Sequence, residues 1–541
     1  MGRLRIAVWH NLPSGGGKRQ LYNHVKGLVE RGHYVESWCP ETADQKYLPF
    51  GGLIKEHTLP LKETSELFYH SVRPFPVLRR LLSSLESHCE TCAAEINSGG
   101  FDVLYANGCM FLRTSPIAKY TALPSAIYLN EPYRWLYEAM PELPWIAPQG
   151  SSGLGRAFAA IREILFGRTA LSGMRHQARA ELEYARQFDL ILANSVYSRE
   201  SILRAYNLDS KICYLGIDTD FYHPAGEKKE QYVVGLGTIY HGKGIDRAIR
   251  ALATISPKWR PPLVWIGNGA SAHDLKGYSL LAKELSVQFE ARTNIPDEEV
   301  IRLLSHALVM VYTSRLEPFG LAPLEANACG TPVVGIAEGG IRETIRDGVN
   351  GLLARHDDSR ELGELISRFV RDVRLSEAMG KQAREYVMRE WNMKKCTENI
   401  EGYLLGLHSE KAGVKRLKCF SSGKLPEGIL VETGDMKYGI DSCRFKAGHL
   451  DIRGWAFIDD GKDAFNCETF IVVEAGQNTR VFKPSRQRRP DVTEFFGSVA
   501  NYDDSGFHLD TGSASGGKGA IGIAIVRGEK LSYQRIRQIG V

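Results

Sequence analysis

Glu317 and Glu325 are separated by seven residues in the run EPFGLAPLE. An ionised carboxylate only accepts hydrogen bonds and a vicinal diol offers two donors, so two such groups suit a hydroxyl-rich ligand. Pro323 fits the first turn of a helix, which leaves Glu317 in the loop after a strand and sets Glu325 just inside the helix. The competing explanation is two acids favouring a helix N-terminus. Lys243, in His241-Gly242-Lys243-Gly244, offers a fixed positive charge, with a solvated surface lysine as its alternative. Pro13-Ser14-Gly15-Gly16-Gly17 offers backbone N–H groups to an anion, with Gly16 and Gly17 closest to the helix that follows; a tight turn without a ligand is the alternative.

These points need elements to hold them. Leu4 to Trp9 reads as a buried strand, followed by the glycine loop and a helix in which Leu21, Val25, Leu28 and Val29 recur at helical spacing. Further strands at Tyr34 to Trp38, Val103 to Tyr105, Ser125 to Leu129 and Leu190 to Ala193 alternate with helices, which argues for a doubly wound parallel sheet. A second alternating series starts at Tyr232, so two α/β halves should face each other across a cleft. Ligands bind such sheets at the carboxyl ends of the strands, where Asn107-Gly108, Asn130-Glu131-Pro132-Tyr133-Arg134 and Asn194-Ser195 fall. Asn194-Ser195 read equally as helix N-caps. Between 153 and 186 a basic amphipathic helix, with Phe158, Ile161, Leu165 and Phe166 on one face, suits either packing on the sheet or an anionic membrane surface.

The stretch 317–334, EPFGLAPLEANACGTPVV, resembles the E-x7-E motif of the retaining glycosyltransferases of family 4. So do 339–353, GGIRETIRDGVNGLL, together with 190–224, 236–252 and the glycine loop. The resemblance covers roughly residues 1 to 405 and implies the GT-B fold: two Rossmann-like domains, 1–208 on the acceptor side and 209–385 for the nucleotide sugar. A helix at 386–408 should cross back to the first. It assigns Glu325 to the nucleotide ribose hydroxyls and Glu317 to the donor sugar hydroxyls. The N–H groups of Phe319, Gly320 and Leu321 would face the donor, and Lys243 would stabilise the leaving diphosphate.

Where the family carries a Gly-Arg pair this chain has Gly237-Thr238, so one cation is missing; Arg315 and Lys18 are candidates to replace it. The rim segment resembles the family's H-x-P-x-R, with Asn130 in place of His. An amide can bond a sugar hydroxyl but cannot take a proton, so Asn130 keeps a positioning role, and Arg134 contacts phosphate or acceptor unless it forms a structural ion pair. Base selection is expected near Phe289 to Arg292. The resemblance implies transfer of a hexose, mannose by analogy, from a GDP- or UDP-linked donor to a glycan or lipid-linked acceptor of bacterial surface polysaccharide. It implies neither a metal nor a cofactor. A catalytically decayed glycan-binding or scaffold protein of the same fold is the alternative, resting on Thr238 and Asn130.

The chain of 541 residues exceeds what two such halves need. Residues 411–427 read as a basic linker, and from 428 to 541 short alternating runs between Gly, Asp and Asn turns predict an all-β sandwich-like domain. It resembles a module appended to some bacterial glycan-assembly glycosyltransferases. There Trp455, Tyr502 and Phe507 are core aromatics or a sugar platform, and Arg489 and Asp491 form a loop ion pair. A net charge of +5 excludes a dedicated nucleic-acid binder but leaves peripheral membrane contact open. The ten cysteines, with Cys89 and Cys92 the one close pair, lack zinc-ligand spacing and are expected to be inert. The N-terminal apolar run is too short for a signal peptide and no segment is long enough to span a bilayer, so the expected location is cytoplasmic.

Overall fold

The computed structural model describes residues 2–137, 154–422 and 433–539, apart from 64, 71, 227, 270, 447–448, 461–463, 465–466, 476–477, 498–499, 512–518 and 528–529. The chain divides into two compact units, the first comprising Met1–Thr121 and Ser125–Leu405, the second Ala122–Pro124 and Gly406–Val541.

The first unit holds two parallel sheets. One is built from β1 (Arg5–Asn11), β2 (Tyr34–Pro40), β3 (Lys55–Leu59), β4 (Val103–Cys109), β5 (Ser125–Tyr128), β6 (Leu190–Ala193) and β7 (Lys211–Ile212), in the order β3-β2-β1-β4-β5-β6-β7. The other comprises β8 (Glu230–Leu236), β9 (Leu263–Gly267), β10 (Phe289–Thr293), β11 (Ala307–Tyr312), β12 (Val333–Ile336) and β13 (Gly351–Ala354), ordered β10-β9-β8-β11-β12-β13. Helices cover both faces, so strands such as β9 and β11 are buried at every position, which explains their unbroken apolar sequence. In each sheet the order reverses between its first strand and the fourth in chain order: β1 and β4 in one, β8 and β11 in the other. Those reversals are where doubly wound sheets hold ligands.

The expected Rossmann-like halves are therefore present. The first sheet continues to β7, beyond residue 208, because Leu192 and Ala193 pair with Lys211 and Ile212. The crossing helix is two helices rather than one through 386–408: Val373–Glu390 ends before Trp391, and Met393–Ser422 follows. The second returns to the first domain. Cys396 Sγ lies 3.3 Å from His24 Nε2, and Glu401 lies 2.6 Å from Arg31 and 2.8 Å from His33. Burial pushes the His24 imidazole down to about 3, so it serves there as a neutral packing group.

The same helix runs on through residues 411–422, the first part of the segment expected to be a linker; Gly413 alone does not stop it. The helix Leu154–Ala185 forms as expected and buries Ala170, Gln177, Ala180 and Tyr184. The side chains of Phe158, Ile161, Leu165 and Phe166 lie outside the described residues.

Beyond residue 433 the described part of the second unit is mainly β, with one short α-helix at Pro490–Phe496. Two antiparallel sheets, β14 (Met436–Lys446), β15 (His449–Ile458), β19 (Gly506–Asp510) and β18 (Ser485–Gln487), and β17 (Asn478–Phe482), β16 (Glu468–Ala475), β20 (Gly519–Arg527) and β21 (Lys530–Ile539), follow those orders. Ile452, Leu509 and Phe507 of the first sheet share one core with Ile471, Ile521, Ile523 and Ile525 of the second. Every second residue of β20 points inward, as a sandwich requires. Tyr502 and Phe507 are buried and Trp455 packs partly buried against Phe457 and Phe496, so these aromatics belong to the core. Arg489 pairs with Asp491 at 2.7 Å and also with Asp441 at 2.5 Å.

Candidate active site

Both sheet reversals open into one cleft of about 1250 Å³. From the first domain it receives the glycine loop after β1, the end of β4 and the segment that follows with Gly108 and Arg113, and Asn130, Glu131 and Arg134 after β5. From the second it receives Gly237 to Lys243 after β8 and Arg315 to Glu325 after β11.

Two helices begin at the cleft without a side-chain cap and without an acid in the first turn: Gly16–Glu30, preceded by Gly15, and Leu321–Ala328, preceded by Gly320. Their first N–H groups are left for a ligand, and their positive ends favour an anion. Gly320 has φ +99°, a conformation strained for any L side chain, and a Cβ there would lie 2.5 Å from Ile341 Cδ1, which would have to shift. Pro323 occupies the first turn and Glu325 the second. The two loops meet: a Cβ on Gly16 would lie 3.6 Å from Leu321 Cδ1.

Lys243 Nζ lies 2.9 Å from Glu317 Oε2, and Ser314 Oγ donates to the same oxygen at 2.7 Å. Burial alone would push the Glu317 carboxyl up; the Lys243 ammonium, the Arg134 guanidinium and the Ser314 hydrogen bond outweigh it and hold the group at about 2. Burial opposes the charge on Lys243 as well, and the carboxylate overcomes it, so Lys243 is raised above its ordinary value. The pair is thus fully charged across the neutral range.

Arg134 lines the cleft and forms the structural ion pair that was the alternative to a phosphate or acceptor contact. It pairs with Glu131 at 2.5 Å, and its Nη2 donates to the Leu316 carbonyl at 2.6 Å, holding the loop that bears Glu317. Asn130 Oδ1 accepts from Asn194 Nδ2 at 3.0 Å. Ser195 caps the helix Val196–Tyr206, and its hydroxyl also donates to the Pro318 carbonyl at 2.6 Å. Thr238 lines the cleft. Phe289 to Arg292, the stretch expected to bear on base selection, are not among the residues lining the cleft; Asn294, Ile295, Pro296, Asp297 and Val300, from the turn after β10 and the helix it enters, are.

Three participants escaped the sequence. Arg19 donates to Glu325 Oε1 at 2.6 Å across the cleft. Arg247 lines the cleft four residues beyond Lys243 and pairs with Asp357 at 3.0 Å. Glu343 accepts from the N–H groups of Val196 and Tyr197 at 2.9 and 3.1 Å, so one domain caps a helix of the other. Each pairing joins residues more than a hundred positions apart, which no local pattern signals.

The chain matches a family model described as Glycosyltransferase Family 4 over residues 14–221 and one described as Glycosyl transferases group 1 over residues 218–386. Residues 14–386 belong to the glycosyltransferases. A D-inositol 3-phosphate glycosyltransferase of Corynebacterium jeikeium is 25% identical over 289 residues, covering 49% of this chain and 67% of that protein. An N-acetyl-alpha-D-glucosaminyl L-malate synthase of Bacillus anthracis is 26% identical over 208 residues, covering 38% of this chain and 54% of that protein. The fold is that of the Anabaena protein HepE crystallised with UDP and glucose (18% identity, TM-score 0.52, 74% of this chain, 100% of that one). It is equally that of sucrose-phosphate synthase from Thermosynechococcus elongatus (18%, TM-score 0.56, 75% and 99%).

In this glycosyltransferase the group 1 match contains Lys243, Glu317 and Glu325, and the family 4 match contains the glycine loop, Asn130 and Arg134. Of the candidates for the missing cation, Arg315 lines the cleft, tied to Glu338 and Asp357 at 2.5 Å each. Lys18 does not: it is fully buried, 3.9 Å from Glu56 and 4.2 Å from the Phe50 ring centre. The ligand atoms of His10, Cys39 and Glu56 beside it lie within 4.8 Å of one another, a metal-type grouping that the spacing along the chain hides. The nine described cysteines are free thiols, eight of them buried, Cys89 and Cys92 among these. No described helix is long and apolar enough to cross a membrane.

Proposed function

We propose that this chain transfers a hexose from a nucleoside-diphosphate sugar to an acceptor hydroxyl with retention at the anomeric carbon and without a metal. The observation that carries the reading is the charged Lys243–Glu317 pair, set between two uncapped helix starts at facing sheet reversals. Lys243 offers charge to the departing diphosphate, and the N–H groups of Gly16, Gly17, Gly320 and Leu321 add fixed dipoles that need no reorganisation as the bond breaks. Glu317, kept ionised, accepts from donor sugar hydroxyls, Glu325 from the ribose diol, and Asn130 bonds a hydroxyl on the acceptor side. The leaving phosphate oxygen then takes the acceptor's proton on the face it vacates.

The acceptor is a glycan or lipid-linked sugar of a bacterial surface polysaccharide. UDP-hexoses head the donor panel because HepE is crystallised with UDP and with UDP-glucose, and GDP-mannose stands beside them on the strength of the rim segment 130–134. Donor hydrolysis and transfer, followed by NMR of the product anomer, test the reading with wild type, Glu317→Ala and Lys243→Ala. Turnover with retention that both substitutions abolish supports it. No turnover with any donor leaves the non-catalytic alternative, and activity equal in all three proteins overturns the assignment of Lys243 and Glu317.

A further inference from the structure

Glu325 is 5% exposed, and among the described residues the cation that reaches it is Arg19 of the opposite domain. Arg19 projects from the first turn of the helix Gly16–Glu30, three residues past the glycine that faces Leu321. Its guanidinium is held from three sides: Nε donates to the Tyr47 hydroxyl at 2.8 Å, Nη1 to the Tyr222 hydroxyl, and Nη1 to Glu325 Oε1 at 2.6 Å. Tyr47 belongs to the first domain and Glu325 to the second, so the arginine is anchored on one and its contact lies on the other.

We propose that Arg19 is a positioning residue that aims Glu325 at the donor's ribose diol, so that recognition of the diol requires the two domains to be apposed. The proposal rests on the reading of Glu325 as the diol acceptor. A carboxylate has about four acceptor directions on two oxygens, and Arg19 engages Oε1, leaving Oε2 to the ligand. A carboxylate this buried and without a cation would turn toward water, and that change removes the acceptor geometry. The planar fork of arginine, fixed at Nε by Tyr47, sets direction as well as charge, which a lysine at this position would not do. Because Gly16 and Arg19 sit within one helical turn, approach of the glycine loop to the phosphates and orientation of the ribose carboxylate are a single movement. An opposing model makes Arg19 a competitor that occupies the diol's place, and it predicts the opposite sign on removal.

The test measures binding of UDP and of GDP, and of the 2′-deoxy analogue of whichever binds, to wild type, Arg19→Gln, Arg19→Lys and Glu325→Gln, with thermal melts to confirm folding. Wild type is expected to prefer the ribonucleotide by about tenfold, the scale of one hydrogen bond to a charged group. Arg19→Gln and Glu325→Gln are expected to bring that preference below about twofold while still binding through the diphosphate, and Arg19→Lys to fall between. An undiminished preference in both Arg19 variants, or ribonucleotide binding tighter than wild type in Arg19→Gln, overturns the proposal. Should Arg19→Gln not fold, Arg19→Lys carries the test alone. Failure of the wild type to bind either nucleotide, or an unchanged preference in Glu325→Gln, overturns the underlying reading of Glu325 instead.

Discussion

The ammonium of Lys243 lies 2.9 Å from the Glu317 carboxylate, joining the loop after β8 to the loop after β11 across the sheet reversal. Both side chains are about four-fifths buried, so each is the other's main compensation and losing one leaves an unpaired charge. Lys243→Met and Glu317→Gln should each lower the melting temperature by several degrees and abolish transfer. The double variant should recover part of the melting temperature and none of the activity, since the charge conflict is gone but so are the donor contacts. Scanning calorimetry beside an activity assay reads both effects; a double variant as unstable as the worse single one would contradict the pairing.

The titration of this pair gives a second expectation. The folded-state value for Glu317, about 2, lies below its ordinary 4.5, so its stabilisation is complete above pH 4.5 and is lost as pH falls toward 2. Lys243 is raised, so its contribution is complete below its ordinary 10.5 and is lost only at higher pH. The melting-temperature difference between wild type and Glu317→Gln should therefore be flat from pH 5 to 9 and shrink below 4.5. Any acid limb in the activity profile near pH 6 must come from another group.

What the sequence disclosed follows from physics that is local. β1, β8, β9 and β11 are legible because strands covered on both faces must be continuously apolar, and the loops after β1 and β8 because glycine marks them. Glu317, Glu325 and Lys243 are legible through the resemblance, since the run 317–334 is contiguous. β3, Lys55–Leu59, was not, because Lys-Glu-His-Thr-Leu is half exposed and shows no alternation. Arg19 carries no local sign of its role beside the glycines it follows, because its partner lies 306 residues away. The same distance effect hid Glu343 and the grouping of His10, Cys39 and Glu56.

Gly320 tests how tightly the donor loop is specified. Its φ of +99° disfavours every L side chain, and the Cβ of an alanine would press into Ile341. Gly320→Ala should cost about 1–3 kcal/mol and weaken nucleotide binding by shifting the start of the helix Leu321–Ala328. Gly434→Ala, also at positive φ but with open space around its Cβ, should cost less and leave binding unchanged. Urea unfolding with a nucleotide titration separates the two.

Ser195 performs two tasks with one hydroxyl. It accepts from the Ser198 N–H at 2.9 Å, capping the helix Val196–Tyr206 of the first domain, and donates to the Pro318 carbonyl at 2.6 Å in the second. Loss of the cap to alanine costs about 1 kcal/mol, whereas glycine at an N-cap costs only a few tenths. Either substitution removes the donor to Pro318. Ser195→Ala should thus be less stable than Ser195→Gly by urea midpoint, while both weaken donor binding to the same extent, because that effect runs through the loop between Glu317 and Gly320. Donor binding that tracks the cap energy instead, strong in Ser195→Gly and weak in Ser195→Ala, would show that the contact with Pro318 does not hold the loop.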